Sequence, residues 1–255
     1  MPPQDHYFDT LAVRFAEHIY GTAKGAIRLA ALQADLAEIL GPAPLRVLDI
    51  GAGMGQISLW LASQSHQVTL AEPSAPMLDA ARAHFAEAGL SAEFLPLPWQ
   101  QLAQQQLVPY DLVLCHAVLE WLAEPTAILP TLARLTARQG WLSLAFYNRD
   151  ALVYRNLLKG HFKCLGRDRP SPGKGGLTPL TPLDPGQLRQ LLEEHWCIEQ
   201  QSGIRVFHDY MPLEFQRRTD QQQLIDMELH HRRHPTFAGL GRYLHWLCRP
   251  RTEHP

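Results

Sequence analysis

A short apolar run that ends in a group of glycines places the strongest constraint on the fold of this chain. Residues 45–50, Leu-Arg-Val-Leu-Asp-Ile, are typical of a buried β-strand. The turn Gly51-Ala52-Gly53-Met54-Gly55 follows, and residues 56–64 have a helical pattern. Glycines at such a turn let the backbone approach a ligand that a Cβ would exclude. The segment therefore predicts strand, turn and helix around a nucleotide-like ligand.

Strand and helix patterns alternate on both sides of this turn. We expect further strands at 67–72, 92–97, 110–116, 141–147, 197–208 and 241–248, and helices at 25–40, 75–88, 126–136, 185–195 and 213–233. Apolar strands that alternate with helices indicate a mostly parallel sheet covered on both faces. The sequence thus predicts an α/β, Rossmann-like, doubly wound fold with seven strands, in one domain over residues 1–255.

Two segments lie outside this alternation. Residues 1–44 are expected to form an N-terminal helical segment, which Gly41 and Pro42 close. Residues 149–184, after strand 5, are expected to form a basic lid or insertion, and the Pro- and Gly-rich stretch 170–176 cannot hold regular structure. The basic residues of this insertion are Arg149, Arg155, Lys159, Lys163, Arg167, Arg169 and Lys174.

Charge and cysteine content exclude several classes of protein. The 255 residues carry 23 Lys and Arg against 25 Asp and Glu, so any basic site is local. Residues 1–145 hold 7 basic and 13 acidic side chains, whereas residues 146–255 hold 16 and 12. The four cysteines form no CxxC pair, which argues against a zinc cage or a disulfide framework. His230, His231 and His234 lack an acid or cysteine that would complete a metal site.

The start of the chain has no basic segment followed by an apolar one, and no apolar run approaches the roughly 20 residues of a membrane span. We therefore expect a cytoplasmic protein without a membrane anchor. The sequence does not indicate an oligomeric state.

The spacing of the glycines selects among nucleotide ligands. A dinucleotide fingerprint would need glycine at position 56, where this chain has Gln56, so NAD and FAD are disfavoured. Asp49 precedes the turn, and Glu72 closes strand 2, where an acid can accept both ribose hydroxyls. This turn and its acids resemble those of the Rossmann-like S-adenosylmethionine-dependent methyltransferases. The alternative is a structural tight turn with Glu72 as a surface acid.

Three further residues lie where that class holds its cofactor. Trp99 and Gln100 follow strand 3, so Trp99 is a candidate to cover the adenine and Gln100 to bond its edge. His116 ends strand 4, at the sheet edge where ligands of open α/β folds collect. The alternatives are ordinary core packing for Trp99 and an indirect, supporting position for His116.

Four short sequence segments outside the cofactor turn resemble one particular family within this class of methyltransferases. They are Tyr20-Gly21-Thr22-Ala23-Lys24-Gly25 with Arg28, His116-Ala117-Val118-Leu119-Glu120-Trp121, Phe146-Tyr147-Asn148, and Gly203-Ile204-Arg205-Val206-Phe207-His208-Asp209-Tyr210. In this order, and nearly end to end, the chain resembles the bacterial tRNA 5-carboxymethoxyuridine methyltransferase family.

The resemblance implies methyl transfer from S-adenosylmethionine to the carboxylate of 5-carboxymethoxyuridine at the tRNA wobble position. It also implies that the cofactor contacts are Arg28, Gly51, Ala52, Gly53, Glu72, Trp99, Gln100 and His116. The chain departs from the family pattern at Ala52, where the family can have glycine, at Glu72, where it can have Asp, and at Trp99, where a small residue is usual.

The chemistry sets modest demands on the site. A carboxylic acid has an unperturbed pKa near 4 and is ionised at neutral pH, so the reaction requires no general base. From the lack of a ligand set, we also expect no metal. Arginine is the natural carboxylate clamp, and Arg205, expected on a strand, is our candidate. Tyr147 and Asn148, at the end of strand 5, are candidates to orient the uridine. The alternatives are an edge salt bridge for Arg205 and core packing for Tyr147.

A nearly neutral protein needs a local basic surface to bind the anticodon region of tRNA. The insertion after strand 5 is the first candidate, and the pairs Arg217-Arg218 and Arg232-Arg233 could extend it. Other functions remain open at this point: methylation of a small carboxylic acid or another metabolite, and a cofactor-binding module without catalysis. A nicotinamide oxidoreductase is weakened by Gln56.

Overall fold

The computed structural model describes Asp5, residues 22–164, Pro179 and residues 181–251, with the side chain of Cys164 excluded. The predictions for residues 1–4 and 6–21 of the N-terminal segment lie outside the described residues. So do those for the stretch 170–176 and for Arg167, Arg169 and Lys174.

Seven strands form one sheet. In chain order, β1 to β7 are Arg46–Ile50, Gln67–Ala71, Glu93–Leu95, Tyr110–His116, Thr136–Tyr147, Trp196–Ile204 and Tyr243–Pro250. The helices of the described residues, α1 to α9, are Ala23–Ala37, Gln56–Ser63, Ala75–Glu87, Trp99–Leu102, Leu129–Leu135, Arg149–Leu158, Pro185–Leu192, Leu213–Arg218 and Gln221–His231. Short 3-10 turns lie at Leu119–Trp121, Phe162–Cys164, His208–Tyr210 and Ala238–Leu240.

The strand order is β3-β2-β1-β4-β5-β7-β6. Strand β7 runs in the opposite direction to the other six strands. This arrangement confirms the predicted mostly parallel, doubly wound α/β fold. The order reverses between β1 and β4, and open α/β sheets collect ligands at the carboxyl ends of strands on either side of such a reversal. The topology therefore places the candidate site at the ends of β1, β2 and β4.

The central strand β4 shows why the apolar runs are continuous. Its Val113 and Cys115 pack into the cluster on one face of the sheet, and Leu112 and Leu114 pack into the cluster on the other. All four side chains are fully buried. A parallel strand covered by helices on both faces needs apolar residues at every position.

No described helix is both long and apolar enough to cross a membrane.

Several element boundaries differ from the predictions. Helix α5 begins only at Leu129, and β5 follows it directly, five residues earlier than expected. The expected polar helix 213–233 is two helices, because Asp220 caps α9 by accepting from the N–H groups of Gln222 and Gln223. The expected strand 197–208 ends at Ile204, because Arg205 has a φ of +61°.

The insertion after strand 5 begins with regular structure. Asn148 caps helix α6, with its side-chain oxygen accepting from the N–H of Asp150. The residues that precede the next helix return to the sheet, where the backbones of Leu183 and Tyr147 are hydrogen-bonded at 2.9 Å. The first part of the predicted lid is thus a helix anchored at the end of β5.

Candidate functional site

A cavity opens at the carboxyl ends of β1, β2 and β4, beside helix α1. Its wall includes all but one of the predicted cofactor contacts, namely Arg28, Gly51, Ala52, Gly53, Glu72, Trp99 and His116. It also includes Gln56, Met77 and Trp121, which the sequence did not single out. The topology thus brings residues from six separate segments to one place.

The glycine turn shapes this cavity by leaving space. Gly51 and Gly53 have φ angles of +68° and +56°, in the left-handed region that favours glycine. A Cβ at Gly53 would meet nothing within 4 Å, so the backbone there borders open space. The N–H groups of Gly51 and Ala52 donate to the carbonyl of Ala71, and that of Gly53 donates to Glu72. The turn therefore admits a ligand chiefly by close approach, since these donors already have partners.

Two acids line the cavity, and the fold orients both. Glu72 accepts from the N–H groups of Gly53 at 2.8 Å and Ser74 at 2.9 Å, which fixes its carboxylate at the end of β2. Asp49 accepts from the hydroxyl of Ser58 at 2.7 Å. Burial raises the pKa of Asp49 to about 6, with a further increase from Glu72 and opposition from Ser58 and Arg28. The cavity wall therefore suits hydroxyl and cationic ligand groups.

Trp99 and Gln100 have different positions. Trp99 lines the cavity, and its buried indole Nε1 has no hydrogen-bond partner among the described residues. Gln100 does not line the cavity, because its side-chain amide donates to Asp5 at 2.6 Å. Asp5 does line the cavity and also accepts from the N–H of Ala123 at 2.8 Å. At this position the polar side chain on the cavity wall is therefore Asp5 and not Gln100.

Arg28 and His116 form the end of the cavity that faces β7. The guanidinium of Arg28 lies 5.1 Å from the ring centre of Tyr243. His116 is bonded through Nε2 to the hydroxyl of Ser143 at 2.8 Å. Burial, reinforced by the positive charge of Arg28, lowers the pKa of His116 well below its ordinary value. His116 is therefore neutral at pH 7.

Next to Arg28 the sheet edge carries a group of aromatic and cationic side chains. The rings of Tyr147 and Tyr243 lie 5.5 Å apart. The guanidinium of Arg205 lies 5.5 Å from the ring centre of Tyr243, and that of Arg242 lies 4.5 Å from the ring centre of Tyr147. A chain of ring contacts thus connects the cavity, through Arg28, to Arg205 and Arg242.

We predicted that Arg205 would lie on a strand, and this was wrong, because β6 ends at Ile204. Arg205 follows β6 in a left-handed turn, where its Nη2 lies 3.4 Å from Asp209. Arg242, which the sequence analysis missed, lies 3.7 Å from the same carboxylate through Nε. Although burial acts in the opposite direction, Arg205, His208 and Arg242 hold the pKa of Asp209 below its ordinary value.

Unpaired donors mark this group. Arg205 Nε, Arg242 Nη1 and the hydroxyl of Tyr147 are buried without a hydrogen-bond partner among the described residues. Two guanidinium groups share one carboxylate, Asp209, so one positive charge is left in excess. Unpaired buried donors with excess positive charge are what a bound anion would satisfy. We name Tyr147, Arg205 and Arg242 the anion pocket.

Asn148 does not have the predicted place in this pocket. Its amide donates to the carbonyls of Gly239 and Gly241, both at 2.9 Å, and its oxygen accepts from the N–H of Asp150. The side chain is fully buried. Asn148 therefore holds α6 to the segment before β7 and has no donor left for a uridine.

Glu120 is a second residue that the sequence analysis left without a role. It is fully buried in the 3-10 turn after β4, and neither carboxyl oxygen has a well-formed hydrogen bond among the described residues. Burial raises the pKa of Glu120 to about 7, against smaller effects from backbone N–H groups and Arg28. The sequence held one signal for Glu120, since this residue belongs to the segment 116–121 that resembles the methyltransferase family.

The expected cofactor, S-adenosylmethionine, fits the residues of the cavity. Open space at Gly53 admits a ligand close to the backbone, and Glu72 presents a fixed carboxylate for a ribose. Trp99 and Met77 supply apolar surface for an adenine, and Arg28 supplies a cation for a carboxylate. Among the described residues, no group of three or more side chains could hold a metal ion.

Parts or all of this chain are similar in sequence to known methyltransferases. The family model described as a methyltransferase domain matches residues 48–142. A tRNA 5-carboxymethoxyuridine methyltransferase of Escherichia coli strain K12 is 40% identical over 252 residues, which cover 96% of this chain and 97% of that protein. A ubiquinone biosynthesis O-methyltransferase of Bordetella avium is 33% identical over 105 residues, or 41% of this chain and 44% of that protein.

A solved structure matches the whole fold. The magnesium protoporphyrin IX methyltransferase of Synechocystis PCC 6803, with bound SAH, aligns at a TM-score of 0.66 and 18% identity. The alignment covers 96% of this chain and 97% of that chain. At 18% identity, this structural match confirms the class I methyltransferase fold alone. The family follows from the Escherichia coli protein, which is 40% identical over 96% of this chain.

Proposed function

Since the chain belongs to the tRNA 5-carboxymethoxyuridine methyltransferase family, we propose that it esterifies the carboxylate of wobble 5-carboxymethoxyuridine with the anion pocket as its carboxylate clamp. When bound, S-adenosylmethionine supplies the methyl group. The observation that carries the assignment of residues is the set of unpaired buried donors on Tyr147, Arg205 and Arg242. Arg205 and Tyr147 both contact the ring of Tyr243, which Arg28 of the cofactor cavity also contacts, and Arg242 contacts the ring of Tyr147.

The charge balance of the anion pocket suits one carboxylate. Arg205 and Arg242 carry two positive charges, and Asp209 supplies one negative charge at 3.4 and 3.7 Å. These distances are long for an optimal ion pair, so neither guanidinium is saturated. A substrate carboxylate completes the balance and takes up the free donors.

The residues act by holding the substrate in place. Its carboxylate is ionised at neutral pH and needs no base, so Asp49, Glu120 and His116 need not accept a proton from it. Correct placement of two reactants can supply roughly 7 to 11 kcal/mol of an activation barrier. Asp209 contributes by fixing both arginines from one side. Tyr147 adds a hydroxyl donor and an aromatic wall.

The position of free cations supports tRNA as the substrate. Lys24, Arg155 and Lys159 form no ion pair with any described residue. Repulsion by Arg155, together with burial, Arg242 and Lys24, lowers the pKa of Lys159. Arg155 and Lys159 lie one turn apart at the end of α6, where the N–H of Lys159 donates to the carbonyl of Arg155. We propose that Lys24, Arg155 and Lys159 bind the phosphates beside the wobble nucleotide.

Other basic residues that the sequence offered are engaged within the protein. Arg149 pairs with Asp184 at 2.8 Å. Arg232 and Arg233 both pair with Asp35 and Glu38, at 2.6 to 3.1 Å. The Arg232-Arg233 pair is therefore a link to helix α1 and not part of the RNA-binding surface.

The test measures ester formation on tRNA from a strain that lacks the ester, with SAH affinity measured separately by calorimetry. Arg205→Ala and Arg242→Ala should each lower ester formation at least a hundredfold and leave SAH affinity within a few-fold. Arg82→Ala, which removes an exposed pair on α3, is the matched control.

Each alternative function has its own result. Methylation of free small carboxylic acids without activity on this tRNA would replace the proposal with a metabolite methyltransferase. Tight SAH binding without methyl transfer to either substrate would indicate a non-catalytic module. Wild-type turnover in both arginine variants would refute the anion pocket alone.

A further inference from the structure

A buried line of hydrogen bonds runs from the cofactor cavity along the face of the sheet that α1 covers. His116 Nε2 lies 2.8 Å from the hydroxyl of Ser143, and the same hydroxyl lies 2.7 Å from Nε2 of His245. Nδ1 of His245 lies 2.8 Å from the carboxylate of Asp35. Ser143, His245 and Asp35 are each at most 1% exposed. The line crosses β4, β5, β7 and α1, and the proposed reaction does not use it.

The charges at the Asp35 end determine the direction of these bonds. Asp35 also accepts from Arg232 at 2.9 Å and from Arg233 at 2.6 Å. It is ionised and can only accept, so Nδ1 of His245 must carry a hydrogen. The two arginines balance Asp35 and Glu38, so a second proton on His245 would leave an unbalanced buried charge. This pattern of partners assigns the ring hydrogen of His245 to Nδ1 and the lone pair to Nε2.

The remaining bonds follow in sequence. The hydroxyl of Ser143 donates to Nε2 of His245, and its oxygen is then an acceptor for His116. His116 must donate from Nε2. Because His116 is neutral, its Nδ1 is left with a lone pair, and no described residue hydrogen-bonds that nitrogen. His116 lines the cavity.

We propose that Asp35, His245 and Ser143 are positioning residues that hold His116 in the Nε2–H tautomer, so that its Nδ1 accepts a hydrogen bond from the cofactor. The ammonium group of S-adenosylmethionine is a donor, and the acids Asp49 and Glu72 on the same wall favour a cationic ligand group. The inference rests on the proposed function for the identity of the ligand only, since the tautomer belongs to the protein alone.

The tautomer is measured directly by long-range 1H–15N correlation of 15N-histidine-labelled protein without ligand. Loss of one set of signals in His116→Asn identifies His116 among the 13 histidines. The wild-type spectrum should show His116 protonated at Nε2 and His245 protonated at Nδ1. A wild-type His116 that is protonated at Nδ1, or that exchanges between both tautomers, overturns the proposal.

A variant links the tautomer to binding. Ser143→Ala should leave His116 as a mixture of tautomers and weaken SAH binding about two- to tenfold, the value of one net hydrogen bond. Thr136→Val is the matched control, because it removes a buried hydroxyl from the same strand outside the line. An unchanged His116 spectrum and unchanged SAH affinity in Ser143→Ala would refute the positioning role of Ser143. Loss of ester formation on tRNA, with both of these unchanged, would bear only on the proposed function.

Discussion

Alanine substitutions at two glycines of the cofactor turn distinguish the energetic cost of backbone strain from that of a steric clash. Gly51 and Gly53 have similar positive φ angles, +68° and +56°. A Cβ at Gly51 would lie 2.5 Å from Cγ2 of Val118, whereas a Cβ at Gly53 would meet nothing within 4 Å. Gly51→Ala and Gly53→Ala therefore impose the same kind of strain, and only Gly51→Ala adds a steric conflict.

The expected magnitudes follow from these contacts. A non-glycine residue in the left-handed region costs roughly 1–2 kcal/mol, so Gly53→Ala should lower the free energy of unfolding by that amount. Overpacking adds roughly 1–3 kcal/mol at Gly51, which brings the expected loss for Gly51→Ala to about 2–5 kcal/mol. Ligand affinity should follow another pattern, since the new methyl group at Gly53 lies on the cavity wall. Gly53→Ala should weaken SAH binding at least about tenfold, or 1.4 kcal/mol.

Urea unfolding at 25 °C gives the stabilities, and calorimetry with SAH gives the affinities. Equal unfolding free energies for the two variants would refute the conflict with Val118. Wild-type SAH affinity in Gly53→Ala would show that the ligand does not approach this part of the turn.

Three further results are expected. Asp209, whose pKa is lowered in the folded protein, stabilises the fold above its ordinary pKa near 4, and this contribution is lost as pH falls; urea unfolding should show a steeper loss between pH 5 and pH 3 for wild type than for Asp209→Asn. Asn148→Ala should lower the free energy of unfolding by at least about 2 kcal/mol, through loss of the α6 cap and of the bonds to the carbonyls of Gly239 and Gly241, with SAH affinity unchanged in calorimetry. Replacing Lys24, Arg155 and Lys159 by alanine should reduce the salt dependence of tRNA binding by about 2 to 3 in the slope of log K against log salt, measured by filter binding, and an unchanged slope would contradict their role.

The fold was predictable because its signals are local. The apolar runs of β1 and β4 and the glycine turn between Ile50 and Gln56 depend on neighbouring residues, and each has the predicted structure. The boundaries that differ depend on side-chain competition. Asp220 interrupts the expected helix 213–233 by capping α9, and the left-handed Arg205 ends β6 early. Such effects change where an element ends without changing its type.

The candidate site was predictable in part. Arg28, Glu72, Trp99 and His116 line the cavity because they follow strand ends or face them from α1, positions that the order of elements already implies. Arg242 could not be found in this way, since its relation to Tyr147 depends on β7 lying antiparallel beside β5. That Gln100 does not line the cavity could not be read locally, since the partner of its amide, Asp5, is 95 residues away in the chain.

The sequence by itself determined the class of fold and the cofactor turn, because glycine spacing and apolar periodicity act over a few residues. The resemblance to a methyltransferase family rested on four short segments outside that turn. The tertiary structure decided which cations are free. Arg232 and Arg233 are bound to Asp35, nearly 200 residues earlier, whereas Arg205 and Arg242 share one carboxylate and retain unpaired donors. The sequence shows which side chains are charged, but the ion-pair partner of each one depends on which distant segments the sheet brings together.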